Sequence, residues 1–133
     1  MINLIYGLKG SGKTEKIIAA ANERAQSSKG CVLYITDRKE HSLSVSRKVR
    51  FIDITAWGIK CENCFVPFLK GLLASNYDVT DVYIDGLAKF IGKDVSELEE
   101  IFKKIDLLSC EHKVDFTLTV SAEEVPDFMK KYL

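Results

Sequence analysis

No charge of either sign is in excess. Lys plus Arg and Asp plus Glu total 19 each across 133 residues, so the overall field offers nucleic acid and anionic membrane nothing to attract, although local basic patches are still allowed. No apolar run approaches the ~20 residues that cross a bilayer. A charged flank with an apolar signal core is missing ahead of the first strand-like run, and the expected location is cytoplasmic. Repeats, linkers and low-complexity segments are absent too. A chain of 133 residues, 47% of them hydrophobic, fits one compact domain, residues 1–133, with a real core. Cysteine is sparse: Cys31, Cys61, Cys64 and Cys110 are expected as reduced thiols rather than a disulfide framework. Cys61-Glu62-Asn63-Cys64 is a single C-x-x-C, and Cys110-Glu111-His112 could bring two more zinc ligands to it. Its readings are a zinc site, a redox pair or plain packing, with packing preferred.

What is present is concentrated near the start. Ile2 to Tyr6 reads as a strand, Gly7-Leu8-Lys9-Gly10-Ser11-Gly12-Lys13-Thr14 as a glycine loop, and the run from Glu15 as a helix. The loop is a full match to G-x-x-x-x-G-K-[ST], the phosphate-binding or Walker A pattern, in the strand–loop–helix context it requires. Gly7 and Gly12 bracket a turn in which a Cβ would collide with the ligand, and Gly10 loosens it further. Lys13 is expected to place an ammonium on the β- and γ-phosphates and Thr14 to offer its hydroxyl to Mg²⁺, while the helix N-terminus adds partial positive charge. The residues from Gly7 to Thr14 are therefore the expected nucleotide site.

Further along, Lys13 to Ser28 has a helical period with Ile17, Ile18, Ala21 and Ala25 on one side, and Cys31 to Thr36 is an apolar strand-like run. Together they make a βαβ unit. Residues 37–48 read as an exposed polar loop carrying Arg38, Lys39, His41, Arg47 and Lys48 at the strand's carboxyl end, the edge where open α/β sheets hold ligands. Val49 to Thr55 alternates as a less buried strand. Cys61 to Ser75 is an expected helix, with Phe65, Phe68, Leu69, Leu72 and Leu73 inward and Pro67 tolerable only in its first turn. Asp81-Val82-Tyr83-Ile84-Asp85-Gly86 is apolar and ends in an acid, so Asp85 is the expected metal-orienting carboxylate beside Thr14. Asp53 is its rival, set aside because Ile54-Thr55 should continue that strand. Ser96 to Glu99 reads as a capping box opening a helix, Val114 to Val120 as a fifth strand, and Ser121 to Leu133 as a terminal helix with a second box at Ser121–Glu124 and Pro126 in its first turn.

Across the whole chain this order resembles the P-loop NTPase superfamily, and within it the RecA-like branch and the core of type II thymidine kinases. The resemblance implies an α/β three-layer fold of about five mostly parallel strands with helices on both faces. It also implies ATP or another NTP with Mg²⁺, and roles for Lys13 and Asp85 in catalysis and Thr14 and Asp85 at the metal. The chain departs from the thymidine kinase pattern in two places. The acid is followed by Gly86 instead of a Glu that serves as base, and one C-x-x-C stands where the zinc lobe has two. Glu62, Asp37 and Asp53 are unranked candidates for the base. GTPase signatures D-x-x-G and N-K-x-D are missing, and Ser121-Ala122, which resembles the guanine-loop remnant, is better explained as a helix start. The expected function is ATP binding with Mg-dependent hydrolysis that is weak, or that depends on a protein partner or self-association. One alternative is a small-molecule or nucleoside kinase using the loop 37–48, Arg38 included, for its acceptor; another is a non-hydrolysing sensor that acts through a partner. No membrane role is expected, and the basic loop is read as a solvated charge run in preference to a nucleic-acid surface.

Overall fold

A computed structural model describes all residues, 1–133. Five strands, β1 (Ile2–Gly7), β2 (Cys31–Thr36), β3 (Val49–Asp53), β4 (Val79–Asp85) and β5 (Asp115–Ser121), form one sheet in the order β1-β5-β4-β2-β3. Every pairing is parallel. Parallel neighbours need covered crossovers, so both sheet faces carry helices, and most residues of the three central strands β5, β4 and β2 are buried. In β2, five of the six residues are buried. The alternation expected for β3 is explained by its place at the sheet edge, where Arg50 is exposed and Phe51 and Asp53 are half-buried.

Helix α1 (Lys13–Ser27) covers one face alone, burying Ile17 and Ala21 against Val32, Tyr34, Val49 and Tyr83. It is tied to β4 at both ends. Arg24 Nε donates to Asp81 Oδ1 at 2.7 Å near the start of the strand, and Thr14 Oγ1 donates to Asp85 Oδ2 at 3.0 Å at its end. The other face carries α2 (Glu62–Ser75), the short α3 (Leu87–Ile91) and α4 (Glu99–His112) over the larger core. The molecule is thus α/β in three layers, with a five-stranded all-parallel sheet in the middle. No helix is long and apolar enough to cross a membrane.

Several elements differ from the sequence reading, each for a local reason. Pro67 lies in the second turn of α2, not the first. It is exposed, and the helix survives the lost N–H donor because Phe65, Val66, Leu69 and Leu73 are buried beneath it, whereas Phe68 and Leu72 are only partly covered. The strand β3 stops at Asp53, whose carboxylate accepts from Thr55 N–H at 3.1 Å and starts a 3₁₀ turn over Ile54–Trp57. The loop 37–48 includes a 3₁₀ turn at Lys39–Leu43. The capping box forms at Asp94 and Glu97, two residues earlier than Ser96–Glu99, because a 3₁₀ turn at Val95–Glu97 precedes α4. No terminal helix spans 121–133; Pro126 keeps Val125 out of helical space, and only Asp127–Tyr132 coils, as a 3₁₀ turn that buries Met129. The short α3 follows Gly86 without a periodic signal long enough to announce it.

Candidate functional site

Because all strands run the same way, their carboxyl ends and the turns after them gather along one sheet edge. The first of these turns is shaped by two glycines. Gly7 has φ +156°, and a Cβ there would meet Ser11 Oγ at 2.5 Å, so a side chain would be strained and would push the Ser11 hydroxyl aside. Gly12 has φ +88° and stands directly before α1, in a region that other residues enter at a cost of roughly 1–2 kcal/mol. The loop's internal bonds are few. Ser11 N–H donates to Leu8 C=O and Lys16 N–H to Gly12 C=O, both at 3.1 Å, and no backbone hydrogen bond outside the helices and strands engages the amides of Gly10, Gly12, Lys13 or Thr14. A run of unpaired amides at the start of a 15-residue helix is an anion-binding concavity by its partial charges. Lys13 Nζ spans the loop to Leu8 C=O at 2.9 Å and is exposed, with two of its three donors still available.

Asp85 ends β4 two strands away from β1, with β5 between them. It is 8% exposed. Three hydroxyls converge on its carboxylate: Thr14 at 3.0 Å and Tyr34 at 3.4 Å on Oδ2, and Thr119 of β5 at 2.7 Å on Oδ1. Thr119 in turn accepts the Gly86 N–H at 3.1 Å, which locks the turn after the acid. Burial, then the charge of Asp85, pushes the Tyr34 phenol far above its ordinary range, so it stays protonated and donates. A hydroxyl and a carboxylate held together in this way are the oxygen donors that a hard cation accepts, and Mg²⁺ typically takes only one or two carboxylates from a protein and keeps several waters. No group of three or more His, Cys, Asp or Glu side chains is placed to hold a metal.

Between the loop and these strand ends lies a cleft of about 970 Å³. Lys9, Gly10, Gly12, Lys13 and Thr14 line it, with Asp85, Thr119 and Ser121 on the strand side, whereas Gly7, Leu8 and Ser11, also expected at the nucleotide, do not. Only one lining residue is apolar. Lys9, Lys13, Lys16, Arg38 and Lys89 against Glu15, Asp37 and Asp85 leave two positive charges in surplus, which suits a polyanion.

The three candidate bases separate here. Thr36 lies opposite Asp85 in the β2–β4 register, so Asp37 emerges opposite Gly86, and its Oδ1 is 3.5 Å from where a Cβ on Gly86 would be. A carboxylate just past the end of the neighbouring strand thus lies at van der Waals distance from that position. Asp37 is 13% exposed and 3.6 Å from Lys89 Nζ. Glu62 lies outside the cleft, paired with Lys93 at 3.2 Å and Lys104 at 3.6 Å on the α2–α4 side. Asp53 also lies outside it and is occupied with Thr55, so its exclusion rests on capping and not on a continuing strand. Arg38 and His41 line the cleft, Arg38 half-exposed and 3.6 Å from Glu40. The sequence does not mark Thr119 or Tyr34 as site residues; the one local signal is a hydroxyl-bearing side chain inside a strand. A scan against protein-family models finds no match, and a search of the curated proteins finds no relative.

Proposed function

We propose that the chain binds a nucleoside triphosphate, ATP foremost, with Mg²⁺ in this cleft and hydrolyses it slowly, as a P-loop NTPase. The observation that carries the reading is the Thr14 hydroxyl 3.0 Å from the buried Asp85 carboxylate, directly beside a helix start with unpaired amides. Free N–H groups and Lys13 receive phosphate oxygens, and the glycines permit the close approach. Thr14 and Asp85 hold the metal, which when bound offsets phosphate charge. Tyr34 and Thr119 fix the rotamer of Asp85, so that the carboxylate need not reorganise when ligand arrives.

Asp37 is the base. Its carboxylate reaches the cleft from the strand beside Asp85, where it can accept a proton from a water directed at the terminal phosphate. Arg38 is the one arginine lining the cleft, and its guanidinium is half-exposed. Charge stabilisation from it is weak, and turnover rises when a protein partner or a second copy supplies another cation. A second reading, phosphoryl transfer to a small acceptor, is favoured by the continuation of the cleft past the phosphate loop to Arg38, His41 and Lys89. Free phosphate as the sole product separates hydrolysis from transfer.

The test is a thermal-shift series with ATP, GTP and ADP, with and without Mg²⁺, on wild type and Lys13→Ala. Ligand at a hundred times its Kd stabilises by about 2.7 kcal/mol, a rise of several degrees that Lys13→Ala should abolish. An undiminished shift in that variant places the nucleotide elsewhere. Isolated wild type should turn over more slowly than about 1 s⁻¹, the lower end of self-sufficient kinases.

A further inference from the structure

Cys61 and Cys64 lie outside the cleft and have no part in the reading above. Cys61 is the residue before α2, with extended backbone (φ −145°, ψ 162°), and its carbonyl accepts the N–H groups of Cys64 at 3.2 Å and Phe65 at 3.0 Å. The first turn of the helix therefore brings the two side chains to one side, and their sulfurs are 3.1 Å apart. Both residues are exposed. Positions three apart in a helical turn have Cα atoms close enough for a disulfide, so bond formation asks for no backbone displacement beyond that turn. Packing does not explain two apolar thiols left in water against each other, and no third ligand stands near enough to make a metal site.

The pair is also asymmetric. The Cys64 thiol hydrogen bond, followed by first-turn backbone N–H groups, lowers the Cys61 thiol below its ordinary range, and the same contact raises Cys64. A thiolate-prone cysteine before a helix with a resolving partner three residues later is the arrangement that exchanges with disulfides. The other two cysteines differ. Cys31 is half-buried, with its thiol pushed up by burial, and Cys110 is exposed on α4 with no second thiol beside it.

We propose that Cys61 and Cys64 form a reversible dithiol switch that small disulfide compounds oxidise. Cys61 releases its proton to water, and its thiolate attacks one sulfur of RS–SR, forming a Cys61–SR mixed disulfide and expelling RS⁻, which takes up a proton. Cys64 then loses its proton and attacks Cys61 Sγ, closing the intramolecular bond and expelling the second RS⁻. Two electrons pass from the cysteines to the small disulfide, which leaves as two thiols.

The test incubates the intact chain with oxidised glutathione, quenches with acid and maps the cysteines by mass spectrometry. Wild type should show a 61–64 disulfide, reversed by reduced glutathione, while Cys110 carries at most a mixed disulfide. Cys64→Ser should accumulate glutathione on Cys61, the trapped intermediate. With iodoacetamide near neutral pH, Cys61 should react about tenfold faster than Cys110, the expectation for a lowered thiol at a helix start. The same circular dichroism melt for Cys64→Ser and wild type keeps the trapping experiment independent of folding. Mixed disulfides on both Cys61 and Cys64 of wild type, equal labelling of Cys61 and Cys110, or thiols inert to both reagents would overturn the proposal.

Discussion

Replacing Thr119 by Val removes one hydroxyl and little volume, and the structure makes this small change consequential. The hydroxyl donates to Asp85 Oδ1 at 2.7 Å and accepts the Gly86 N–H at 3.1 Å. Losing a bond to a charged acceptor costs about 1.5–3 kcal/mol, and leaving the Gly86 amide unpaired adds about 1–3 kcal/mol. The extra apolar burial of Val returns about 1 kcal/mol, leaving a net loss of about 1.5–5 kcal/mol. With unfolding entropy near 2.1 cal/mol/K per residue over 133 residues, the melting temperature should fall by about 5–18 °C. Urea titration and calorimetry measure the loss, with Thr119→Ser, which keeps the hydroxyl, as the control. In an Asp85→Asn background the same substitution should be milder by about 1 kcal/mol, since the charged acceptor is already gone. If Thr119→Val stays within about 0.5 kcal/mol of wild type, or loses as much with Asn at 85 as with Asp, the hydroxyl does not hold the carboxylate.

Asp37→Asn should lower steady-state phosphate release by about 10²-fold or more while the ATP-induced thermal shift persists; a matching loss of binding would make Asp37 a ligand-holding residue instead of a base. Tyr34 keeps its proton in the folded protein well above the pH at which it ionises in the unfolded chain, near 10. The unfolded state therefore binds fewer protons there, and stability should fall as pH rises beyond 10, by up to about 1.4 kcal/mol per pH unit from this group. Tyr83, pushed up to about 12 chiefly by burial, steepens the same fall. Tyr34→Phe should flatten the slope of urea-derived stability between pH 9 and 11, and an unchanged slope would assign the alkaline loss to other groups. Pro67→Ala should raise stability by at least about 1 kcal/mol, because an exposed interior position of α2 regains a backbone donor; equal or lower stability would mean that the proline's restriction of the unfolded chain outweighs it.

The sequence by itself determined the strands, the loop and the main helices, because each is written in local chemistry: glycines where the backbone has positive φ, apolar runs where a strand is covered on both faces, a helical period over residues 13–27. Asp85 was legible for the same reason, an acid closing an apolar strand. Short-range signals misled where two of them competed, as at Pro67, where core burial along α2 outweighed a missing donor, and at Ile54, where capping by Asp53 ended a run with strand-like composition. Only the tertiary structure decided which side chains meet. Strand order places β5 between β1 and β4, so that Thr119 reaches Asp85, and places β2 on the other side of β4, so that Tyr34 does too and Asp37 comes to lie beside Gly86. Residues 34 and 119 approach 85 across 51 and 34 positions of sequence. Register in a parallel sheet sets such encounters through distant crossovers and a shared core, and nothing in the neighbourhood of either residue encodes its partner.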